Sequence, residues 1–172
     1  MERLYAPWRM LYLKGESASR VEVPAGGSLF AALAARGNDA EAGIVFRGEH
    51  SFVILNAFPY SNGHLMVVPN RITGDIAALN GAELKEINQL VKAAVCWLRL
   101  AYNPQGFNVG INIGEASGAG IPNHIHWHIV PRWSGDTNFM TTVGEVRVLP
   151  QTLEDTFNLL VKISAQNPPD LS

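Results

Sequence analysis

Three of the chain's five histidines, His124, His126 and His128, follow one another at strict two-residue spacing. Imidazoles alternate there with large apolar side chains, a pattern that predicts a β-strand. Because successive side chains on a strand point to opposite faces, the three imidazoles share one face, each about 6.6 Å from the next. A single histidine would fit an ordinary half-buried strand, whereas three in register indicate a functional site. The side chains between them are predicted to face the core: Ile125, Trp127 and Ile129.

Two chemistries suit such a row of imidazoles. At pH 7 a fair fraction of imidazole is neutral, and a neutral ring nitrogen can attack phosphorus or bind a metal ion. In the first chemistry, one nitrogen attacks a phosphate and forms a phosphoramidate intermediate, which water or another acceptor then resolves. In the second, the three side chains bind Zn²⁺ with one open position. Side chains that the pleat keeps parallel converge poorly on one ion, so the pattern favours covalent catalysis.

A glycine-rich segment, residues 114–120, directly precedes the histidines and follows a predicted strand that ends near Asn112. Main-chain amides of such a loop place partial positive charge on phosphate oxygens without adding bulk. A loop of this kind is also a common flexible connector. Its position between Asn112 and the histidines favours a role in binding phosphate.

The elements that position these residues predict an α+β fold. Apolar residues recur every three or four positions between Gly81 and Tyr102, which predicts one long amphipathic helix. Alternating segments predict an antiparallel sheet, and two shorter helices are expected beside it. The predicted strands are 44–47, 51–57, 65–69, 106–113, 124–130 and 146–149; the shorter helices are Leu29–Arg36, with Ser28 as N-cap and Gly37 after it, and one opened by Pro150 that includes Leu153 to Val161.

Composition predicts one domain over residues 1–172, because 47% of the residues are hydrophobic and 16% are charged. Residues 1–27 form an N-terminal extension with an aromatic and basic patch, and residues 166–172 are expected to fray. Cys96 lies in the helical apolar pattern, which favours a buried, inert thiol. The aromatic and basic patch consists of Tyr5, Trp8, Arg9 and Tyr12.

The charge balance limits the partners. The net charge is −2 and Lys and Arg are not clustered, so an electrostatic grip on nucleic acid is not expected. No stretch approaches the roughly 20 apolar residues that span a bilayer, and the first residues lack the apolar run of a signal peptide. We therefore expect a cytoplasmic protein with a small-molecule phosphate ligand and no membrane partner.

Residues 124–130 have the form His-φ-His-φ-His-φ-φ, where φ is apolar, and 131–140 continue it as Pro-Arg-Trp-Ser-Gly-Asp-Thr-Asn-Phe-Met. With segments 4–9, 56–69 and 106–114, this sequence resembles the histidine triad (HIT) superfamily of nucleotidyl hydrolases and transferases. It is most similar to the Fhit-like branch, which includes bacterial and archaeal diadenosine tetraphosphate hydrolases and phosphorylases. The resemblance implies a HIT-like antiparallel sheet with one long and one or two shorter helices, and usually a homodimer.

The resemblance also implies residue roles. The middle histidine, His126, is the expected nucleophile on the α-phosphate, while His128 contacts phosphate oxygens or the leaving group and His124 supports the site. His64 matches a further family histidine to which we assign no role from the sequence. The expected substrate-binding residues are Asn56 at the ribose, Leu55 and Phe58 near the base, and Asn112, Ser117, Gly118, Ala119 and Gly120 around the phosphates.

The chain departs from its relatives at two places. Fhit-type hydrolases have Gln where this chain has Ala119, and the mycobacterial phosphorylases end the loop with Ser where it has Gly120. Many close relatives bind structural zinc through two cysteines, a histidine after the third strand and the first triad histidine. Those first three positions are Ser28, Ala31 and Ile72 here. We therefore expect no cofactor and no structural zinc, only a divalent cation accompanying the nucleotide.

The sequence as a whole predicts an enzyme that cleaves diadenosine tetraphosphate or a similar dinucleoside polyphosphate through a covalent His126 intermediate. Water is the expected acceptor, because it needs only to reach phosphorus opposite the histidine, whereas inorganic phosphate needs its own anion site and the Ser of the phosphorylases is absent. Three alternatives remain: phosphorolysis of the same substrates, an adenosine phosphoramidase, and a non-catalytic sensor that binds nucleotides in the same pocket.

Overall fold

The computed structural model describes residues 21–144 and 148–172 and shows an α+β fold. Five antiparallel strands form one sheet in the order β1-β2-β3-β5-β4. Two short 3-10 turns, Ile76–Ala78 and Glu115–Ser117, lie in the connections. The strands and helices are α1 (Leu29–Ala34), α2 (Asp39–Ala42), β1 (Ile44–Arg47), β2 (Ser51–Leu55), β3 (Leu65–Pro69), α3 (Gly81–Tyr102), β4 (Gly106–Ile111), β5 (Trp127–Arg132), α4 (Phe139–Thr142) and α5 (Leu153–Gln166).

Strand alternation gives the sheet two different faces. One face packs against α3 and α5 and forms the larger hydrophobic cluster, with Ile87, Leu90 and Trp97 of α3 at its centre. The other face, called here the histidine face, carries a smaller cluster around Phe30 of α1. Met66 of that smaller cluster lies directly opposite His128 in the β3–β5 ladder. The position of His128 therefore follows from the same alternation that buries the core.

Capping residues in the sequence determine both ends of helix α3. The side chain of Asn80 accepts a hydrogen bond from the backbone N–H of Glu83, and Glu83 accepts one from the backbone of Asn80, which together form a capping box. Arg71 pairs with Glu83 at 2.6 Å and holds the pKa of that carboxyl down at about 2. Asn103 ends the helix in the left-handed region at φ 44, directly before Pro104.

The histidine strand starts later than its alternation predicts. Strand β5 begins at Trp127, so His124 and His126 precede it. The backbone N–H of Ile125 donates to the carbonyl of Thr73, in the connection after β3, at 2.7 Å. The chain thus enters the sheet by pairing with a loop rather than with a strand. Of the three residues predicted to face the core, Ile125 and Ile129 are buried and Trp127 is half-buried against the α3 cluster.

Several other strands and helices end at different residues from those predicted. Strand β2 stops at Leu55 and β4 at Ile111, each two residues early, and α1 stops at Ala34. The last helix is capped by Thr152 and reaches Gln166, and α2 and α4 were not predicted. Val148 and Leu149 lie in no strand, while the rest of the predicted strand 146–149 and the N-terminal patch of Tyr5, Trp8, Arg9 and Tyr12 lie outside the described residues.

Two predictions about individual residues also differ from the structure. Cys96 is exposed rather than buried, because it lies on the outer side of α3. The tail predicted to fray instead contacts the helices: the indole N–H of Trp97 donates to the carbonyl of Asn167 at 2.8 Å, and Leu171 packs against the larger cluster. Within residues 21–144 and 148–172, no helix is long and apolar enough to cross a membrane.

Candidate active site

The central histidine is held in one tautomer. The Nδ1 of His126 lies 2.9 Å from the backbone carbonyl oxygen of His124. A carbonyl can only accept, so Nδ1 carries the hydrogen and Nε2 carries the lone pair of the neutral ring. His126 is 5% exposed, and this burial lowers its pKa. The arrangement supplies a neutral imidazole with a nucleophilic Nε2 at pH 7.

His124 is fixed at both ring nitrogens. Its Nε2 donates to the carbonyl oxygen of Pro69 at 2.8 Å, so Nδ1 is the acceptor for the hydroxyl of Ser28 at 2.5 Å. The side chain is fully buried, and that burial lowers its pKa, against the opposing effect of the Pro69 carbonyl. His124 thus acts as a neutral support that places its own carbonyl beneath His126.

Ser28 connects the first helix to the triad. Its hydroxyl oxygen caps α1 by accepting from the backbone N–H of Ala31 at 3.1 Å while its hydrogen is directed to His124. Phe30, in the first turn of α1, packs against the ring of His126 with centroids 4.9 Å apart. Helix α1 therefore covers the triad as well as the sheet. The contact between Ser28 and His124 joins residues 96 positions apart. Periodicity does not predict it, whereas the resemblance does, because it places Ser28 and His124 at ligand positions of the same zinc site in relatives.

His64, left without a role by the sequence, lies beside the third histidine. The backbone N–H of Tyr60 donates to His64 Nδ1 at 3.1 Å, so the hydrogen of the neutral ring is on Nε2. That Nε2 lies 3.0 Å from His128 Nδ1, which must accept. The same reasoning puts the hydrogen of His128 on its Nε2. His64 thereby sets His128 as a hydrogen-bond donor beside His126, whose ring centroid is 4.8 Å away.

The residues expected near the nucleoside divide between the two faces. Asn56 follows β2, and its side-chain oxygen accepts from the backbone N–H of Phe58 at 2.9 Å. Its backbone N–H donates to the carbonyl of His64, which keeps it beside the histidines. Leu55 instead belongs to the α3 cluster on the opposite face, because it is one residue out of register with the histidine face. The β2 residue that shares the cluster of Phe30 is Ile54.

The phosphate-binding candidates occupy two places. Asn112 lines a cavity of about 840 Å³ together with His128. The glycine segment forms a 3-10 turn and then an exposed loop through Gly118 and Gly120, with Ala119 half-buried. The hydroxyl of Ser117 donates to the carbonyl of Gly114 at 2.7 Å, within that turn. The Ser117 hydroxyl is therefore engaged in shaping the loop.

The residues present do not fit a zinc site. Both ring nitrogens of His124 are hydrogen-bonded, and Ser28 occupies one of those positions. Ala31 offers no ligand atom, and Ile72 is 40% exposed. Across the two described stretches of the chain, no group of three His, Cys, Asp or Glu side chains is arranged to hold a metal ion. A hydrogen-bonded Ser28–His124 pair stands where the resemblance places metal ligands.

An antiparallel sheet that carries a row of tautomer-defined imidazoles defines the class of α+β domains built around a histidine triad. The HIT domain family matches residues 38–135, and the chain belongs to this family. A Mycobacterium tuberculosis protein named AP-4-A phosphorylase is 37% identical over 98% of this chain and 87% of its own length.

Two further similarities agree with this assignment. An asymmetrical bis(5'-nucleosyl)-tetraphosphatase from Schizosaccharomyces pombe is 28% identical over 54% of this chain and 50% of its own. The crystal structure of a zinc-bound histidine triad family protein from Mycobacterium smegmatis covers 80% of this chain and 91% of its own, at 25% identity and a TM-score of 0.62. The α+β fold predicted from the sequence is confirmed.

Replacing Ser28 with Ala should lower both stability and turnover. The change removes a helix cap, which costs about 1 kcal/mol, and leaves His124 Nδ1 without its donor. Asn38→Ala is the matched control, because Asn38 caps α2 in the same way on an exposed surface away from the triad. We expect a larger drop in melting temperature in Ser28→Ala, which also loses a buried hydrogen bond, and reduced kcat only in that variant. Equal kcat values for both would contradict a positioning role for Ser28.

Proposed function

We propose that this protein cleaves dinucleoside polyphosphates, with diadenosine tetraphosphate as the reference substrate, through a covalent nucleotide on His126. The observation that carries the proposal is the hydrogen bond from His126 Nδ1 to the His124 carbonyl, because it leaves the lone pair on Nε2. The similarity to a protein named AP-4-A phosphorylase supports the substrate class.

The chemistry balances with the groups present. Nε2 of His126 attacks the α-phosphorus, an N–P bond forms, and the bond from phosphorus to the bridging oxygen breaks. The ring becomes a cation whose Nδ1–H still donates to the His124 carbonyl, and the leaving phosphate departs as an anion. His128 Nε2–H donates a hydrogen bond to that leaving oxygen, which offsets its developing charge. Water then attacks phosphorus and loses a proton to solvent, and the N–P bond breaks so that its electron pair returns to Nε2 and neutral His126 is restored.

The remaining roles are part of the same proposal. Asn56 binds the ribose and Phe58 packs near the base, since both lie beside His64 on the approach to the triad. Asn112 and the amides from Gly118 to Gly120 bind phosphate oxygens. Leu55 acts as core rather than as a substrate contact, because it packs against α3.

The acceptor is proposed to be water. Inorganic phosphate needs its own anion site with several donors, and the hydroxyl of Ser117 is already bonded to the Gly114 carbonyl. Phosphorolysis is the second candidate, because the similarity to the M. tuberculosis protein extends over 98% of this chain. The phosphoramidase and sensor alternatives rest on no particular contact of this structure.

A homodimer is the proposed assembly. Strand β4 is an edge of the sheet, and edge strands present unpaired backbone groups to a partner. Val109 on β4 and Ile113 just after it are 48% and 47% exposed, and Leu100 at the end of α3 is 62% exposed. These apolar side chains fit a second copy that pairs at the same edge. Because the proposed substrates are soluble nucleotides, we also propose a cytoplasmic location.

Changing His126 to Asn should remove nearly all turnover while nucleotide binding survives, since the nucleophile is lost and only one buried hydrogen bond changes. Cleavage of diadenosine tetraphosphate and binding of a non-cleavable analogue measure the two effects. His50→Asn is the matched control, because His50 lies in the β1–β2 turn and contacts Asn70 and Glu86 through its backbone groups. Substantial activity in His126→Asn would refute the covalent mechanism.

The products identify the acceptor. Without added phosphate, the purified protein should release AMP and ATP from diadenosine tetraphosphate, because water reaches phosphorus opposite the histidine. Chromatography of the nucleotides, with and without inorganic phosphate, checks this. A negligible rate until phosphate is supplied, followed by ADP and ATP as products, would identify a phosphorylase.

The protein should contain no structural zinc. Zinc needs about four nitrogen or sulfur ligands in tetrahedral array. Of the four ligand positions that relatives use, only His124 carries a ligand residue here, and both of its ring nitrogens are already hydrogen-bonded. Elemental analysis of protein purified without chelator is expected to find far less than one zinc per chain, and chelator should not lower the melting temperature. One tightly held zinc per chain would overturn this and revive a metal-dependent mechanism.

A further inference from the structure

The proposed chemistry uses the cavity beside His128 only at His128 and Asn112, and its other walls have no role in that chemistry. Among its described lining residues, the only Lys, Arg, Asp or Glu side chains are Arg132 and Asp136, and these pair with each other at 2.6 Å. Arg132 also donates to the side-chain oxygen of Asn108 at 2.6 Å. With its charge matched in this way, the arginine is a poor anchor for phosphate. The cavity therefore suits a neutral ligand.

Its other walls are aromatic, amide and apolar. Trp133 and Tyr102 are half-buried on its wall, and Tyr60 lines it beside His128. Flat aromatic side chains stack on nucleobases, and an amide such as that of Asn62 can bond their polar edges. About 840 Å³ is ample for one nucleoside. This combination identifies a neutral heteroaromatic ligand.

The ion pair also positions Trp133. Asp136 accepts hydrogen bonds from Arg132 and from the backbone N–H of Trp133, the latter at 3.2 Å. The indole is thus carried on a turn that is tied to the end of β5. Rigid aromatic side chains lose little entropy when a ligand stacks on them, so a fixed indole is suited to recognition.

The cavity lies on the leaving-group side of the site. His128 lines it, whereas His126, Asn56 and Phe58 do not. Arg132 is four residues beyond His128 on β5, a distance of about 13 Å along the strand. This distance leaves room for several phosphates between the imidazoles and an aromatic ring stacked on Trp133.

We propose that this cavity binds the second nucleoside of a dinucleoside polyphosphate, with Trp133 as the residue that stacks on its base. The inference rests on the proposed function and adds to it the origin of selectivity: a substrate is preferred when both of its ends carry a nucleoside. A nucleoside polyphosphate with one base leaves the cavity unused.

The experiment compares diadenosine tetraphosphate with adenosine 5'-tetraphosphate, which lacks only the second nucleoside. For the wild-type protein, kcat/KM should be roughly tenfold higher for the dinucleotide, the order expected for one stacked base. Trp133→Ala should lower kcat/KM for diadenosine tetraphosphate until it is close to the value for adenosine tetraphosphate. The kcat/KM for adenosine tetraphosphate itself should change less than about twofold. Trp133→Phe should keep most of the preference.

Phe139→Ala is the matched control, since Phe139 is 72% exposed on the same segment and does not line the cavity. If Trp133→Ala has a lowered melting temperature, Leu149→Trp gives a second test, because the larger side chain narrows the cavity from an exposed position. This variant should lower kcat/KM only for diadenosine tetraphosphate. A wild-type preference near one, or an equal loss for both substrates in the Trp133 variants, overturns the inference. Failure to cleave either substrate instead refutes the proposed function.

Discussion

The site depends on one backbone contact, the hydrogen bond from His126 Nδ1 to the His124 carbonyl. That carbonyl is a useful partner only if the residue that bears it cannot move. His124 is therefore held at both ring nitrogens, by Ser28 at the start of α1 and by Pro69 at the end of β3. The tautomer of His126, the proposed nucleophile, is in this way coupled to the packing of a helix against a sheet.

The two faces of the sheet have different roles, since one carries the larger hydrophobic core and the other carries the candidate active site. Its α3 face is filled by large apolar side chains, whereas the histidine face is apolar only under α1 and becomes polar toward β4 and β5. Because strand alternation assigns each residue to one face, a shift of one residue exchanges the two. Leu55 and Ile54 illustrate this, since they are adjacent in sequence but belong to hydrophobic clusters on opposite faces of the sheet.

Local patterns predicted the parts of the fold that depend on local interactions. The bounds of Gly81–Tyr102 and Leu65–Pro69 were predicted as the structure shows them, because apolar spacing and breakers determine them. The start of β5 was not, since the chain at Ile125 pairs with Thr73 in a distant loop. Two-residue alternation placed His124, His126 and His128 together, and the family resemblance gave them roles but gave no role to His64. That role depends on a backbone N–H at Tyr60, which periodicity does not reveal.

Keeping His124 and His126 neutral has a consequence for the folded state. Burial lowers the pKa of both His124 and His126 below the value of about 6.5 that they have when the chain is unfolded. As pH falls through that value, the unfolded chain takes up protons that the folded protein does not, so stability decreases. The loss continues until the folded-state pKa values are reached. The desolvation that keeps Nε2 of His126 nucleophilic at neutral pH is thus the same effect that weakens the fold in acid.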